Sequence, residues 1–269
     1  MQFYIKTDAN KDIGSGHLQR CLNLAEFLKS EHDVTFLFCK TSNLIINEVK
    51  KNFKAIVFQD NKNLLDEIKK NLKKNKYNFL ILDDYSTNYT WEKAIYNHFS
   101  KVLVIGDHLN RKHYCDFYLN QNVIDDKSQK NLLKKFSSIK CLLGPKYALL
   151  DKNYLRYAKK EKNQIYLKNI IISFGGSDKE NLTDKVLSIL SQRKFNQFKI
   201  KVAIGKNYQY FNDLSKKYKS NNRIIFYKGL NSLAKINHNS DLSIGAGGIS
   251  IWERLCLSLP SLVFLVSEN

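Results

Sequence analysis

Ile13-Gly14-Ser15-Gly16-His17-Leu18-Gln19-Arg20 follows a short apolar strand, Phe3-Tyr4-Ile5, and a polar turn containing Asp8, Asn10 and Asp12. Beyond it Leu18, Cys21, Leu22, Ala25 and Leu28 recur at helical spacing. Two glycines and a histidine therefore stand where a strand end becomes a helix start. Backbone N–H groups there lack partners and the helix dipole is positive, so an anion is favoured. Glycine lets a ligand come close to the backbone, and histidine moves a proton near neutral pH. The bland role of such a turn is to close a tight βα connection.

Outward from this stretch, β-type apolar runs alternate with amphipathic ones. Strands are predicted near 3–7, 33–39, 54–58, 79–83, 101–106 and 116–119, with helices at 17–30, 43–51, 62–74 and 90–98. An apolar segment from Cys141 to Leu150 closes this series, and a polar stretch from Asp151 to Lys168 reads as helix plus linker. A second series places strands at 170–174, 199–204, 223–227, 242–244 and 262–266, with helices near 181–192, 208–219, 231–238 and 249–257. The pattern predicts an α/β protein with two Rossmann-like, doubly wound domains facing across a cleft. Their expected limits are 1–150 and 169–269, joined by a linker helix within 151–168. A covering helix or strand is expected after the last strand, so the C-terminal domain reads as lacking its last elements.

Composition narrows the function classes. A chain of 269 residues, 43% hydrophobic, has room for two ordinary domains. It contains no apolar run of membrane-spanning length and no basic flank leading into a long apolar core, so neither membrane insertion nor secretion is expected. The five cysteines are scattered and form no CxxC pair; they suit buried thiols in a reducing cytoplasm. The net charge of +19 is spread along the whole chain. It reads as a solvated lysine coat that attracts anionic substrates, not as a nucleic-acid-binding surface. Asp107-His108, His113 and Cys115 fit no zinc spacing. No metal, other cofactor or nucleic acid is expected, and a monomer is.

Three glycine-bearing turns follow strand patterns and precede helices: Gly14/Gly16, Gly175/Gly176 and Gly245/Gly247/Gly248. None is a P-loop, because no Gly-Lys-Ser/Thr occurs, and position 19 is Gln where a dinucleotide fingerprint has its third glycine. Together they point to a diphosphate held by backbone amides and helix N-termini. Glu253 sits five residues past Gly248, where it would accept hydrogen bonds from a ribose diol or, more simply, pair with Arg254 or Lys235. Asp83, Asp84, Tyr85, Asp107, His108, Asn120 and Asn122 mass at successive strand ends, as a sugar-binding wall requires.

With these residues in place, the chain resembles the nucleotide-sugar hydrolases of pseudaminic acid biosynthesis, which cleave UDP-2,4-diacetamido-2,4,6-trideoxy-β-L-altropyranose. The matching pieces are Asp8, Ile13-Gly14-Ser15-Gly16-His17 and Arg20, then Leu82-Asp83-Asp84-Tyr85, Asp116 and Leu119-Asn120. They continue through Gly144, Tyr147, Leu149, Phe174-Gly175-Gly176-Ser177-Asp178, Asn181, Gly245-Ala246-Gly247-Gly248 and Glu253 to Glu268-Asn269. The resemblance implies a GT-B fold, similar to the glycosyltransferase that forms lipid II. It implies a UDP site in the C-terminal half, with Gly175, Gly176 and the Gly245–Gly248 turn at the diphosphate, Glu253 at the ribose, and Ser177 and Asn181 as further substrate contacts. The N-terminal half would hold the sugar, with Asp8, Gly14, Gly16, Arg20, Asp84 and Asn120 as contacts; Asn269 belongs to a substrate-facing motif. Lys6 stands where the family usually has arginine, and a lysine makes no bidentate contact.

The implied reaction is metal-independent removal of UDP by water attack at the anomeric carbon, with C–O cleavage and inversion. His17 would be the general base and Tyr85 would orient water or sugar. Asp8 would orient His17 or bind sugar. A GT-B glycosyltransferase using the same UDP-sugar, or a non-catalytic nucleotide-sugar or nucleic-acid binder, are the competing readings.

Overall fold

A computed structural model describes residues 1–7, 16–39, 41–72, 77–158, 166–176, 178–206 and 208–265. The chain divides into two compact units, Met1–Leu149 and Leu150–Asn269.

In the first unit, β1 (Gln2–Thr7), α1 (Gly16–Leu28), β2 (Asp33–Cys39), α2 (Asn43–Lys50), β3 (Lys54–Phe58), α3 (Asn61–Asn71), β4 (Asn78–Asp83), α4 (Tyr89–Tyr96) and β5 (Lys101–Ile105) alternate. β6 (Phe117–Asn120), α5 (Asp126–Lys135) and β7 (Lys140–Leu143) complete it. The seven strands lie in the order β3-β2-β1-β4-β5-β6-β7, and every pairing is parallel.

Both faces of such a sheet are covered, so its strands are apolar on both sides. Ile5, Phe36, Phe38 and Ile81 pack on the face that carries α1. Leu37, Leu80, Leu82 and Val104 pack on the face that carries α3 and α4. Each fully buried aliphatic or aromatic side chain stabilises the unit by about 1.5–3 kcal/mol.

The second unit contains α6 (Lys152–Ala158), β8 (Asn169–Ser173), α7 (Leu182–Leu190), β9 (Lys199–Ile204), α8 (Phe211–Lys217) and β10 (Ile224–Lys228). α9 (Ala234–His238), β11 (Leu242–Ala246), α10 (Ile249–Cys256) and β12 (Ser261–Phe264) follow. Its five strands run β10-β9-β8-β11-β12, again all parallel. α6, in the segment read as a linker, supplies Tyr154 to a core with Ile171, Ala203, Ala234, Leu257 and Leu259.

The fold class expected from the alternation is the one observed: α/β, with two parallel-sheet units. α5 and β7 were not separate elements in the sequence pattern. The reason is visible in α5, whose only buried residue is Leu132; its two apolar residues, Leu132 and Leu133, are adjacent and give no periodicity to read. The helix forms because Asp125 accepts the amide of Ser128 at 2.9 Å, a side-chain cap. Among the described residues no helix is long and apolar enough to cross a membrane.

Each sheet has one point where strand order reverses, between β1 and β4 and between β8 and β11. Ligands of open α/β sheets bind outside the carboxyl ends of the strands at such points.

Candidate functional site

The first reversal point carries a cluster of charged side chains. Adjacent residues of a strand point to opposite faces, so Asp83 and Asp84 at the end of β4 serve different sides of the sheet. Asp83 faces α1 and is fully buried. His17, Arg20 and Cys21 lie three and four positions apart on α1 and so share one face.

His17 Nδ1 lies 2.5 Å from Asp83 Oδ1. Arg20 Nη2 donates to the same oxygen at 2.6 Å. Arg20 Nε and Cys21 Sγ donate to Asp83 Oδ2 at 2.6 and 3.3 Å. The guanidinium then bridges to a second carboxylate, with Nη1 and Nη2 both 2.9 Å from the oxygens of Asp107.

This network sets the tautomer of His17. Arg20 Nη2 also approaches His17 Nδ1, at 3.1 Å. Its two hydrogens are already directed at Asp83 and Asp107, so that approach is not a hydrogen bond. Nδ1 therefore carries the proton and donates it to Asp83, leaving Nε2 as the basic nitrogen. The imidazole is 8% exposed, and it is set among polar groups rather than aliphatics. Burial alone would push the Asp107 carboxyl up, but the bonds from Arg20 hold it below the usual carboxylate range. The Arg20 guanidinium is itself desolvated, and its bonds to Asp83 and Asp107 still raise it above its ordinary value.

Tyr85 meets the imidazole edge-on, with ring centroids 4.6 Å apart at 85°. Its hydroxyl donates to Asp107 Oδ2 at 3.1 Å. Burial, then the neighbouring Asp107, pushes the phenol up to about 12. It is a hydrogen-bond donor at neutral pH, not a base, and at 41% exposed it is the member of the cluster most open to solvent.

Asp84 turns to the other face. It pairs with Lys6 Nζ at 2.5 Å and accepts the Thr87 amide, the Thr87 hydroxyl and the Ser86 hydroxyl at 2.8, 3.0 and 3.1 Å. Burial would raise its carboxyl, but Lys6 keeps it low. A lysine near the carboxyl end of β1, directly after the apolar Phe3-Tyr4-Ile5, was the sequence signal for this pair. Asn120, at the end of β6, accepts the Asn122 amide at 2.9 Å through Oδ1, and its buried Nδ2 has no partner among the described residues. Asn122 Nδ2 donates to Asp107 at 3.2 Å.

Of the residues singled out in the sequence, His17, Arg20 and Tyr85 thus come together in one cluster, with Gly16 beginning α1 beside them. Arg20 is buried against two carboxylates, and Asp84 is bound by Lys6 and its own loop. Asp8, Gly14, Ser177 and Asn269 lie outside the described residues. Asp83 and Asp107, which hold the cluster together, had been read only as strand-end polar groups. The signal available was the His17, Arg20, Cys21 spacing, which predicts a polar face on α1 needing a buried acid.

In the second unit the two glycine turns differ in what their helices offer. Asp178, with φ 40°, accepts the amides of Leu182 and Thr183, both at 2.9 Å. The start of α7 is therefore neutralised from within the chain. Asn181 caps the same helix with φ 53° and accepts the Tyr208 hydroxyl at 2.5 Å. Gly175 and Gly176 form the turn before it.

α10 follows Gly248, at φ 84°, with no side-chain cap and no acid in its first turn. The Ile251 amide turns back to the Gly248 carbonyl at 3.0 Å; among the described residues the dipole and the amides ahead of Ile251 are open to an external anion. Gly245 allows β11 to reach this turn, since a Cβ there would strike the backbone carbonyl of Ser173. Gly247 donates its amide to Phe264 at 3.2 Å.

Glu253, just over one turn into α10, accepts the Tyr154 hydroxyl at 3.3 Å, which in turn accepts from Asn237 Nδ2 at 2.9 Å. Neither Arg254 nor Lys235 pairs with it among the described residues. Burial pushes the Glu253 carboxyl up to about 7. A shallow depression lined by Ser191, Asn196, Lys217 and Arg223 lies at the amino ends of β9 and β10, away from these turns. Among the described residues no group of three or more His, Cys, Asp or Glu is arranged to hold a metal ion.

The chain was compared with known proteins. No family model matches it. It is 32% identical over its full length to the uncharacterized protein MJ1062 of Methanocaldococcus jannaschii, and spans 56% of that relative's length. It is 27% identical to the UDP-2,4-diacetamido-2,4,6-trideoxy-β-L-altropyranose hydrolase of Campylobacter jejuni, covering 93% of this chain and 86% of the relative. It is 24% identical to the spore coat polysaccharide biosynthesis protein SpsG of Bacillus subtilis, covering 100% of this chain and 78% of that one.

Among solved structures it is similar to MurG of Acinetobacter baumannii, with TM-score 0.56, 12% identity, and 93% and 73% of the two chains covered. It is also similar to the UDP-GlcNAc 2-epimerase of Neisseria meningitidis bound to UDP-GlcNAc, with TM-score 0.57, 14% identity, and 98% and 82% covered. The chain is a distant homologue of the hydrolase and of SpsG, and it has the fold of the GT-B glycosyltransferases and epimerases.

Proposed function

We propose that this chain is a nucleotide-sugar hydrolase that releases UDP from a UDP-2,4-diacetamido-2,4,6-trideoxyhexose, in the biosynthesis of pseudaminic acid. The observation that carries this reading is the oriented His17–Asp83 pair, locked by Arg20 and Asp107, with Tyr85 against the imidazole. Homology to the Campylobacter jejuni hydrolase supports it.

In this reading water attacks the anomeric carbon from the face opposite UDP. The new bond joins the water oxygen to that carbon, the carbon–oxygen bond to the diphosphate breaks, and UDP leaves with the electron pair. His17 Nε2 takes the proton of the attacking water. Asp83 holds the ring in the required tautomer and stabilises the imidazolium that forms, as a carboxylate behind a histidine does elsewhere. Tyr85, whose hydroxyl hydrogen is held by Asp107, orients the water or the sugar by accepting through its phenolic oxygen. The α10 N-terminus stabilises the charge developing on the diphosphate, and Glu253 accepts from the ribose. In the second unit this assigns the diphosphate to the Gly245–Gly248 turn, because Asp178 already occupies the start of α7.

The test is incubation with the UDP-sugar and no acceptor, followed by proton NMR. Free sugar and UDP are the expected products; an intact UDP-sugar that is consumed only when an acceptor is added identifies a transferase instead.

The Glu253 assignment makes a pH prediction. A carboxyl raised to about 7 is neutral below that pH and ionised above it. An ionised carboxylate accepts hydrogen bonds more strongly, so UDP affinity rises about threefold to tenfold as pH increases through this range. The same shift works against the fold. Protonated Glu253 contributes stability that is full below the ordinary carboxylate range and is lost as pH rises through about 7. Glu253→Gln should remove both pH steps. Calorimetric titration of both chains from pH 5.5 to 8.5 checks this, since the phosphate's own ionisation cancels in the comparison. Equal pH profiles would exclude Glu253 from the ribose.

A further inference from the structure

Arg254 follows Glu253 on α10 and is 3% exposed. Consecutive helix positions diverge by about 100°, and while Glu253 takes the Tyr154 hydroxyl, Arg254 runs beneath the glycine turn. Its Nη2 donates to the carbonyl of Ala246 at 2.8 Å. Its Nη1 lies 3.3 Å from the point that a Cβ on Gly245 would occupy. Its buried Nε has no hydrogen-bond partner among the described residues. Among the described residues no carboxylate forms an ion pair with it, in contrast to Arg20, which holds two.

A buried cation without a counter-ion is costly to fold. Burial holds the Arg254 guanidinium below its ordinary value, against the pull of Glu253. Charges in such low-dielectric surroundings interact strongly, so an anion seated nearby would relieve the cost. The uncapped start of α10 lies on the same turn, and its dipole has the same sign as Arg254.

We propose that Arg254 is the built-in counter-charge of an anion site at the start of α10, and that the diphosphate of the nucleotide is the anion it takes. The assignment of a nucleotide to this unit is the reading given above, on which this inference rests. Arg254 acts through the turn that it underlies, as a positioning and field-setting residue, and does not touch the ligand. The alternative is a purely structural clamp on the Ala246 carbonyl.

The two roles predict opposite signs for Arg254→Met, which keeps length and removes charge. As an uncompensated cation, Arg254 destabilises the ligand-free chain, so the Met variant melts higher by about 2 °C or more. It binds UDP about tenfold or more weakly by calorimetry, while uridine binding stays within about twofold. Arg254→Lys, which keeps the charge, loses less UDP affinity than the Met variant. A Met variant that melts lower or does not fold, or one that binds UDP as the parent does, overturns the inference.

Inorganic pyrophosphate separates the inference from the nucleotide reading. A parent chain that binds pyrophosphate through Arg254 but gains nothing from the uridine supports the anion site and contradicts the nucleotide. A parent chain that binds UDP with no dependence on Arg254 contradicts only the inference. A parent chain that binds neither contradicts both.

Discussion

Replacing His17 by Phe lowers UDP release from the UDP-sugar by about 10²–10⁴-fold, the usual contribution of a positioned general base. UDP affinity stays within about twofold, because the imidazole acts on a proton that moves only in the transition state. The fold survives: His17 is on the first turn of α1, and Leu18, Cys21 and Ala25 still anchor that helix in the core. Turnover measured under saturating substrate, with UDP titrated in parallel, checks both halves. Unchanged turnover would remove His17 from the chemistry, and a loss confined to UDP affinity would make it a binding residue.

Replacing Arg20 by Met has the other large effect, and it is on stability. Arg20 is the cation between Asp83 and Asp107, with four bonds of 2.6–2.9 Å to their oxygens. Removing it leaves two carboxylates facing each other at the carboxyl ends of β4 and β5 with no counter-ion. Breaking a buried pair in this way costs about 3–5 kcal/mol, a large share of the stability of an ordinary domain. Asp83 also loses the group that orients it toward His17, so the turnover of whatever chain remains folded falls as well. Urea unfolding of parent and variant measures the first effect. A variant as stable as its parent, with only a raised KM, would instead make Arg20 a direct substrate contact, the role that the family resemblance suggested.

Arg20 illustrates what was legible in the sequence. Its presence at helical spacing from His17 was plain, and so was the strand–glycine–helix context that puts both at a strand end. Its partners were not, because Asp83 and Asp107 lie 63 and 87 residues away and meet it only through the parallel order β1-β4-β5. The sheets themselves were readable, since strands buried on both faces form continuous apolar runs. α5 was not, with its single buried leucine. The division of labour between the glycine turns also escaped the sequence. Gly175-Gly176 and Gly245–Gly248 look equivalent until Asp178 is seen to fold back on α7. Asp84 stands with Asp83 and Tyr85 at a strand end, which is why the sequence places it at a ligand; the alternation of a strand sends it to Lys6 instead.

Hydrolysis in water enriched in oxygen-18 tests the central claim most directly, with mass spectrometry of both products. If His17 delivers water to the anomeric carbon, the label enters the free sugar, UDP remains unlabelled, and the first-formed anomer is inverted. Label in UDP, from attack at phosphorus, would contradict the account, as would a first-formed sugar that keeps its anomeric configuration.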